Sequence, residues 1–253
     1  MGQKTIPQSL RLNHFKNWQS NWVLDKKDYA KLFYLEHTLR QYLQKFCKRN
    51  TLYINKIKLI KNDQSLNVYL HFYDLKNEET LLLKSFKPDL EGYLNTYLKT
   101  LPLPFSAKVF VINATLGNLN IGYLFYQKFK NFPLMALHFY SFVNLSYMAF
   151  YTQQAPLINS YLVNSLQKNP KHRQYLRNIN RILYKQFRIF GNCLGYKLQF
   201  KGRVNGLQRS KAIVFQAGKA PLNTLNCHIS YDFQEVLTPY GTCSLKTWLF
   251  YKK

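Results

Sequence analysis

Apolar positions recur at two different periods along this 253-residue chain, and the changes between them lay out its elements. From Asp28 onward Leu32, Leu35, Leu39, Leu43 and Phe46 return every three or four residues, while Lys31, Arg40, Lys45 and Lys48 fall between them. One apolar face at that spacing predicts a helix to about Lys48. Leu52–Ile60 and Leu66–Tyr73 read as the two strands of a hairpin around the polar turn Lys61-Asn62-Asp63-Gln64. In the second strand Leu66, Val68, Leu70 and Phe72 take every other position, as a sheet with one buried face requires. A second helix over about Asp89–Leu101 stops before Pro102 and Pro104, and Lys108–Asn113 is a third strand. The order helix, strand, strand, helix, strand predicts a small α+β domain over residues 28–114, its helices on one side of the sheet. Residues 1–27 ahead of it show no sustained period and read as an extended basic arm bearing Lys4, Arg11, Lys16, Trp18 and Trp22.

Between Asn131 and Gln167 there is no charged side chain. Phe132–Tyr151 has the length of a bilayer span, but Pro133, His138, Tyr140, Ser141, Asn144 and Ser146 make it too polar to insert. No membrane span is expected there, and a buried helix or a protein contact patch is the better reading. Lys168–Phe190 is more informative. Arg173, Arg177, Arg181 and Lys185 lie four apart and Arg188 extends the row, while Leu176, Ile179, Leu183 and Phe187 mark an opposite, core-facing stripe. Like charges at this spacing cost an isolated helix about 0.2–0.5 kcal/mol per pair. A solvated basic face is the bland account of such a row, and phosphate contact is the functional one. Beyond it Tyr196, Leu198 and Phe200 alternate with Lys197, Gln199 and Lys201, and Leu225, Cys227, Ile229 and Tyr231 alternate with Asn226, His228, Ser230 and Asp232. After the turn Pro239-Tyr240-Gly241 a last strand runs over about Thr242–Tyr251. Three strands behind one helix predict a second α+β domain over residues 155–253.

Charge decides between the two accounts of the basic row. Lysine and arginine number 36 against 11 aspartates and glutamates, a formal charge of +25. An excess of that size repels itself in a folded body and calls for a polyanion, either nucleic acid or an anionic membrane. With 47% hydrophobic and 17% aromatic residues the charge decorates a packed core and not a disordered tail. Cys47, Cys193, Cys227 and Cys243 form no paired spacing, so neither a zinc ribbon nor a disulfide framework is expected, and no metal or cofactor. Cys227, His228 and Asp232 suggest a nucleophile and base only until the strand is considered. Neighbours on a strand face opposite sides, so Cys227 and His228 cannot share a hydrogen bond, and no catalytic residue is assigned. The opening MGQKTIPQSL has no apolar signal core, too few arginines and serines for a transit peptide, and Ile6 where myristoylation needs a hydroxyl. A protein made where it works is expected.

Ordered motifs then give the chain a family resemblance. Met1-Gly-Gln-Lys4, Leu10-Arg11-Leu12, Trp18 to Trp22 and Arg40-Gln41-Tyr42-Leu43 resemble the start of the universal small-subunit ribosomal protein number three, the S-three family. Near the other end Gly202-Arg203-Val204-Asn205-Gly206, Gly218-Lys219-Ala220-Pro221-Leu222-Asn223-Thr224-Leu225, Ile229-Ser230-Tyr231, Pro239-Tyr240-Gly241 and Lys246-Thr247-Trp248-Leu249 follow that family's motifs in order and at matching intervals. A basic RNA-binding protein outside the ribosome has the charge but no reason to share this ordered set. The resemblance covers about residues 1–73 and 155–253.

It implies an α+β protein of two small domains: a KH-like (type II) domain at 28–114 and a C-terminal helix-on-antiparallel-sheet domain at 155–253. A helical aromatic insertion is expected at 115–154, a platform for lineage-specific ribosomal proteins. By resemblance the protein sits on the head of the small subunit, binds small-subunit rRNA beside neighbouring head proteins, and lines the mRNA entry channel. The rRNA contacts expected are Lys4, Arg11, Lys16, Trp18 and Trp22 in the arm, with core packing the alternative for both tryptophans, and Arg203, Lys211 and Lys219 beyond. Arg177, Asn178 and Arg181 match the family's mRNA-facing positions, with Asn178 where the family has a basic residue and with Arg173 and Lys185 one turn away on either side. Where the family carries a phosphate-gripping GXXG loop this chain has Asp74-Leu75-Lys76-Asn77-Glu78-Glu79, whose three carboxylates repel phosphate, so a KH architecture without that grip is expected. The Lys- and Asn-rich, aromatic-rich composition looks like an AT-rich genome. With the altered loop and the start at Met1, this favours a mitochondrial, organelle-encoded protein, with plastid or bacterial cytoplasm as alternatives.

Overall fold

The computed structural model describes residues 5–12, 18–49, 52–62, 65–73, 80–100, 106–113, 140–207 and 211–252. The chain divides into two units, Asn17–Asn118 on one hand and Met1–Lys16 with Leu119–Lys253 on the other.

In the first unit β1 (Ser20–Asn21), α1 (Lys26–Arg49), β2 (Tyr53–Lys61), β3 (Ser65–Tyr73), α2 (Thr80–Thr100) and β4 (Ser106–Asn113) follow in order. The sheet order is β1-β2-β3-β4, antiparallel between β2 and β3 and parallel at both outer pairs. Leu32, Leu35, Leu39 and Leu43 of α1 and Leu90, Leu94 and Leu98 of α2 bury against Leu59, Val68, Leu70 and Phe72 of the sheet. Each such side chain contributes about 1.5–3 kcal/mol by leaving water. This is the α+β order the periodicity predicts. The second helix, however, starts at Thr80 and not at Asp89, and runs through Pro88. Proline lacks the N–H that the helix ladder uses, so it reads in the sequence as a boundary. Phe86 before it and Leu90 after it bury in the same core, and that packing holds the helix together across the missing bond.

The second unit holds α3 (Tyr140–Tyr151), α4 (Ala155–Lys168), α5 (His172–Ile189), β5 (Cys193–Gly202), β6 (Lys211–Gly218), β7 (His228–Thr238) and β8 (Gly241–Tyr251). The sheet is antiparallel throughout, in the order β6-β5-β8-β7. Ser230 and Asp232 of β7, with Thr247 of β8, face α4: Ser230 Oγ accepts from the Ala155 N–H at 2.9 Å, Asp232 accepts from Asn159 Nδ2 at 2.8 Å, and the Thr247 hydroxyl donates to Asn159 Oδ1. On the other face Cys227, Ile229, Trp248 and Phe250 form a small apolar cluster, with Ala220 and Tyr231 packed on it.

Three expectations change. Residues 140–151 are not separate from the C-terminal domain: Phe142, Leu145, Ala149 and Phe150 of α3 are buried, and Gln186 of α5 donates to the Val143 carbonyl at 2.8 Å. The boundary set at 155 therefore moves back to at least Tyr140. The sheet has four strands and not three, because β6 is an edge strand without one fully buried residue and leaves no alternating signature. The arm is not one segment. Its 3-10 turn, Ser9–Arg11, belongs to the second unit, while Ser20 and Asn21 pair with Leu59 and Ile60 in the first. Residues 74–79, and 114–139 of the expected insertion, lie outside the described residues, as do Lys4 and Lys16.

Candidate nucleic-acid interface

Helix α5 is amphipathic in the strict sense: Leu176, Ile179, Ile182 and Leu183 are buried, while Arg173, Arg177, Arg181 and Arg188 are exposed. Asn178 and Lys185 are half-buried on its flanks. Among the described residues Arg173, Arg177 and Arg181 have no ion-pair partner. Arg188 is held locally, donating to the Tyr184 hydroxyl at 2.6 Å with its guanidinium 4.6 Å from that ring's centre.

A turn one strand further along the chain, just after β5, fixes the helix start. Asn205 (φ +52°) and Gly206 (φ +74°) are left-handed, a geometry that glycine adopts without strain and asparagine tolerates. This reversal brings Asn205 to the first turn of α5, where its Oδ1 accepts from the Arg173 N–H at 3.3 Å and its own N–H donates to His172 Nδ1 at 3.4 Å. His172 is buried, and burial pushes its pKa down, so the imidazole is the neutral acceptor this bond needs. Arg203 Nε closes the turn on the Gly206 carbonyl at 3.2 Å, leaving its side chain exposed. Between the turn, the start of α5 and β6 lies a groove of about 300 Å³ lined by Arg173, Arg177, Asn205, Lys211 and Phe215 among others. The structure thus gathers Arg173, Arg177 and Lys211, which the sequence reading assigned to two different RNAs, around one concavity. Lys219 is exposed after β6, where its N–H donates to the Leu194 carbonyl at 2.9 Å.

Two aromatic and basic residues of the arm are placed otherwise than expected. Arg11 is 2% exposed: its guanidinium donates to the carbonyls of Pro7 (2.9 Å), Leu222 (2.7 Å) and Thr224 (2.8 Å), so it ties the N-terminal turn to the loop after β6 and offers no phosphate contact. Trp22 packs against the first unit's core and donates its indole N–H to Glu36 at 2.7 Å, which makes it part of that fold and not a wedge for rRNA. Trp18 is 52% exposed and available for stacking.

The thiol of Cys227 is buried and donates to the Tyr251 carbonyl at 3.3 Å; burial pushes its pKa up, away from the thiolate a nucleophile needs. Among the described residues no group of three or more His, Cys, Asp or Glu is placed to hold a metal ion, and no helix is long and apolar enough to cross a membrane.

Residues 163–249, from within α4 to near the end of β8, match the family model for the C-terminal domain of ribosomal protein S3. The chain is also 26% identical to the small ribosomal subunit protein uS3 of Borreliella burgdorferi (strain ZS7), over 99% of this chain and 70% of that protein. It is 26% identical to the protein of the same name from Borrelia turicatae (strain 91E135), over 99% of this chain and 75% of that one. Over residues 163–249 the chain is similar to the C-terminal domain of ribosomal protein S3, and over nearly its whole length it is similar to small ribosomal subunit proteins uS3. Helix α5, the 203–206 turn and strands β5, β6 and β7 fall inside the matched span, and β8 runs just past its end.

Proposed function

We propose that this protein is an S3-family structural constituent of the small ribosomal subunit, acting by electrostatic and architectural contact with RNA and not by catalysis. Its relatives carry the name small ribosomal subunit protein uS3, which supports the assembly. The observation that carries the RNA contact is the exposed arginine row on α5, without ion pairs among the described residues and opening on the groove shared with Lys211. Arg173, Arg177 and Arg181, with Asn178 and Lys185 beside them, face mRNA at its entry channel. Arg203, Lys211, Lys219 and Trp18 lie on rRNA, and neighbouring head proteins complete the site. Each phosphate neutralised releases counter-ions, so binding is strong, salt-sensitive and mostly blind to sequence. The compartment proposed is the mitochondrial matrix, on the AT-rich composition; the two relatives named are bacterial, and fractionation of cells of the source organism decides between the two.

The test is co-sedimentation of the full chain with small subunits at rising salt, followed by cross-linking from α5. Arg173→Glu with Arg177→Glu is expected to remove adducts to mRNA at the channel mouth and leave sedimentation intact. Adducts from α5 to protein alone, or absence of the chain from the subunit, rejects the reading.

A further inference from the structure

The helices of the first unit cover one face of its sheet, and the other face carries chemistry that the α5 groove does not use. Ile57 and Leu59 of β2, Val68 and Leu70 of β3 and Val109 of β4 enter the core. The pleat therefore sends Lys56, Lys58, Tyr69, His71, Lys108 and Phe110 to the opposite face. Strand register sorts them into rows: Lys56 beside His71, then Lys58 beside Tyr69 beside Phe110, then Lys108 beside Asn67. The Tyr69 and Phe110 rings lie nearly parallel, 15° apart with centres at 4.9 Å, and Phe110 is 39% exposed.

None of these three strands contains an aspartate or a glutamate. Among the described residues the side chains of Lys56, Lys58, Lys108 and His71 have neither a hydrogen bond nor an ion pair. The cations also feel one another: burial and then Lys58 lower the pKa of Lys56, and burial and then Lys56 and Lys58 lower that of His71. Crowded like charges without a counter-ion are a standing cost, and an anion seated on the face removes it.

We propose that this open sheet face binds an unpaired stretch of ribosomal RNA, one base stacking on the Phe110–Tyr69 pair and phosphates resting on Lys56, Lys58 and Lys108. The inference rests on the reading of the chain as an RNA-binding ribosomal protein, and adds a contact in the other unit. Two flat rings in one row suit a planar base better than an acidic peptide, which pairs with lysines but gains nothing from an open ring face. A cost that is present whenever the unit is folded calls for a resident partner, which is rRNA and not a passing message.

The experiment uses the full chain, in the Arg173→Glu, Arg177→Glu background so that α5 does not mask the effect, with an oligouridylate of about ten nucleotides as probe, within the usual single-strand site size. Phe110→Leu, which keeps bulk and removes the ring, is expected to lower affinity about 5- to 100-fold without altering the salt dependence. Lys56→Ala with Lys58→Ala is expected to reduce the slope of log affinity against log salt by about 1.4. Melting curves check that each variant folds, and Lys58→Gln serves if Phe110→Leu does not. Unchanged affinity and slope in these variants overturn the sheet-face site. If the α5 arginines alone then govern binding in the parent chain, the α5 reading survives that failure; if no variant or parent binds RNA, both fall. In small subunits free of mRNA, a photoreactive group at position 110 is expected to mark rRNA, and adducts to protein alone, or to RNA only after message is added, overturn the assignment.

Discussion

The two units handle their few carboxylates in opposite ways. In the first, Glu36 of α1 is 7% exposed and gathers Ser20, the Trp22 indole and Arg40 around itself; these contacts pull its pKa below the usual value although burial alone raises it. Glu91 accepts from the Val109 N–H at 2.7 Å and so fastens α2 to β4. In the second unit Asp232 is half-buried among neutral partners, Asn159 and Gln234, and burial lifts its pKa to about 6. The first unit uses acid to clasp its own cations; the second keeps its acid away from them and leaves the arginines of α5 outward. A carboxylate within reach of Arg173 or Arg177 compensates the row and competes with phosphate, so the lack of an ion pair to either among the described residues is part of the surface's chemistry.

The comparison breaks most visibly at Gly218, where the second unit depends on backbone geometry. Its φ is +72°, and a Cβ there meets the Leu194 carbonyl at 2.3 Å and the Phe187 ring at 2.7 Å. Gly218→Ala is expected to cost at least about 3 kcal/mol, by strain plus overpacking, and to lower the urea midpoint of the Trp248 transition while leaving that of Trp22 in place. Glu36→Ala reverses the test, destabilising the first unit by about 2–3 kcal/mol because Arg40 and the indole N–H lose their acceptor in a half-buried site. Glu36→Gln recovers part of that loss.

Asp232→Asn sharpens the contrast through pH. Because the folded pKa lies above the ordinary 3.8, the native state binds more protons than the unfolded chain between about pH 4 and 6, and stability falls as pH rises through that window. The substitution is therefore expected to stabilise the second unit at pH 7, by up to roughly 2–3 kcal/mol, with the gain fading as pH drops to 4. An unchanged or reversed pH profile sinks this account of Asp232. The smallest effect belongs to Arg177→Glu: removing two like-charge pairs, with Arg173 and with Arg181, is expected to raise helix stability by only about 0.4–1 kcal/mol while weakening RNA binding. A stability change of that sign, measured beside a loss of affinity, separates a functional row from a structural one.

What the sequence made legible was whatever repeats at a fixed period with one side buried. The leucines of α1, the alternation in β3 and the arginine row of α5 all follow from such spacing, and the described elements agree with them. Pro88 and β6 did not yield to it, because a proline inside a packed helix and an edge strand with no fully buried face break the pattern without breaking the element. At the candidate interface the basic residues could be named but not grouped. That Asn205 caps α5, and that Lys211 joins Arg173 and Arg177, depends on a chain reversal that periodicity does not report. Arg11 and Trp22 show the converse. A cation and an indole in a stretch without period look free in the sequence, and only contacts with Leu222, Thr224 and Glu36 reveal that they are fastened.

Strand order has a last implication, for biosynthesis. β8 leaves the ribosome that makes it after the other described strands of its sheet, yet it lies between β5 and β7, which are made before it. A nascent chain halted before Gly241 leaves both of those strands with an unsatisfied edge, a state that pairs readily with other chains. The second unit therefore closes in one late step, and the 203–206 turn and α5 take up their joint geometry against a finished sheet only when synthesis has passed Tyr251.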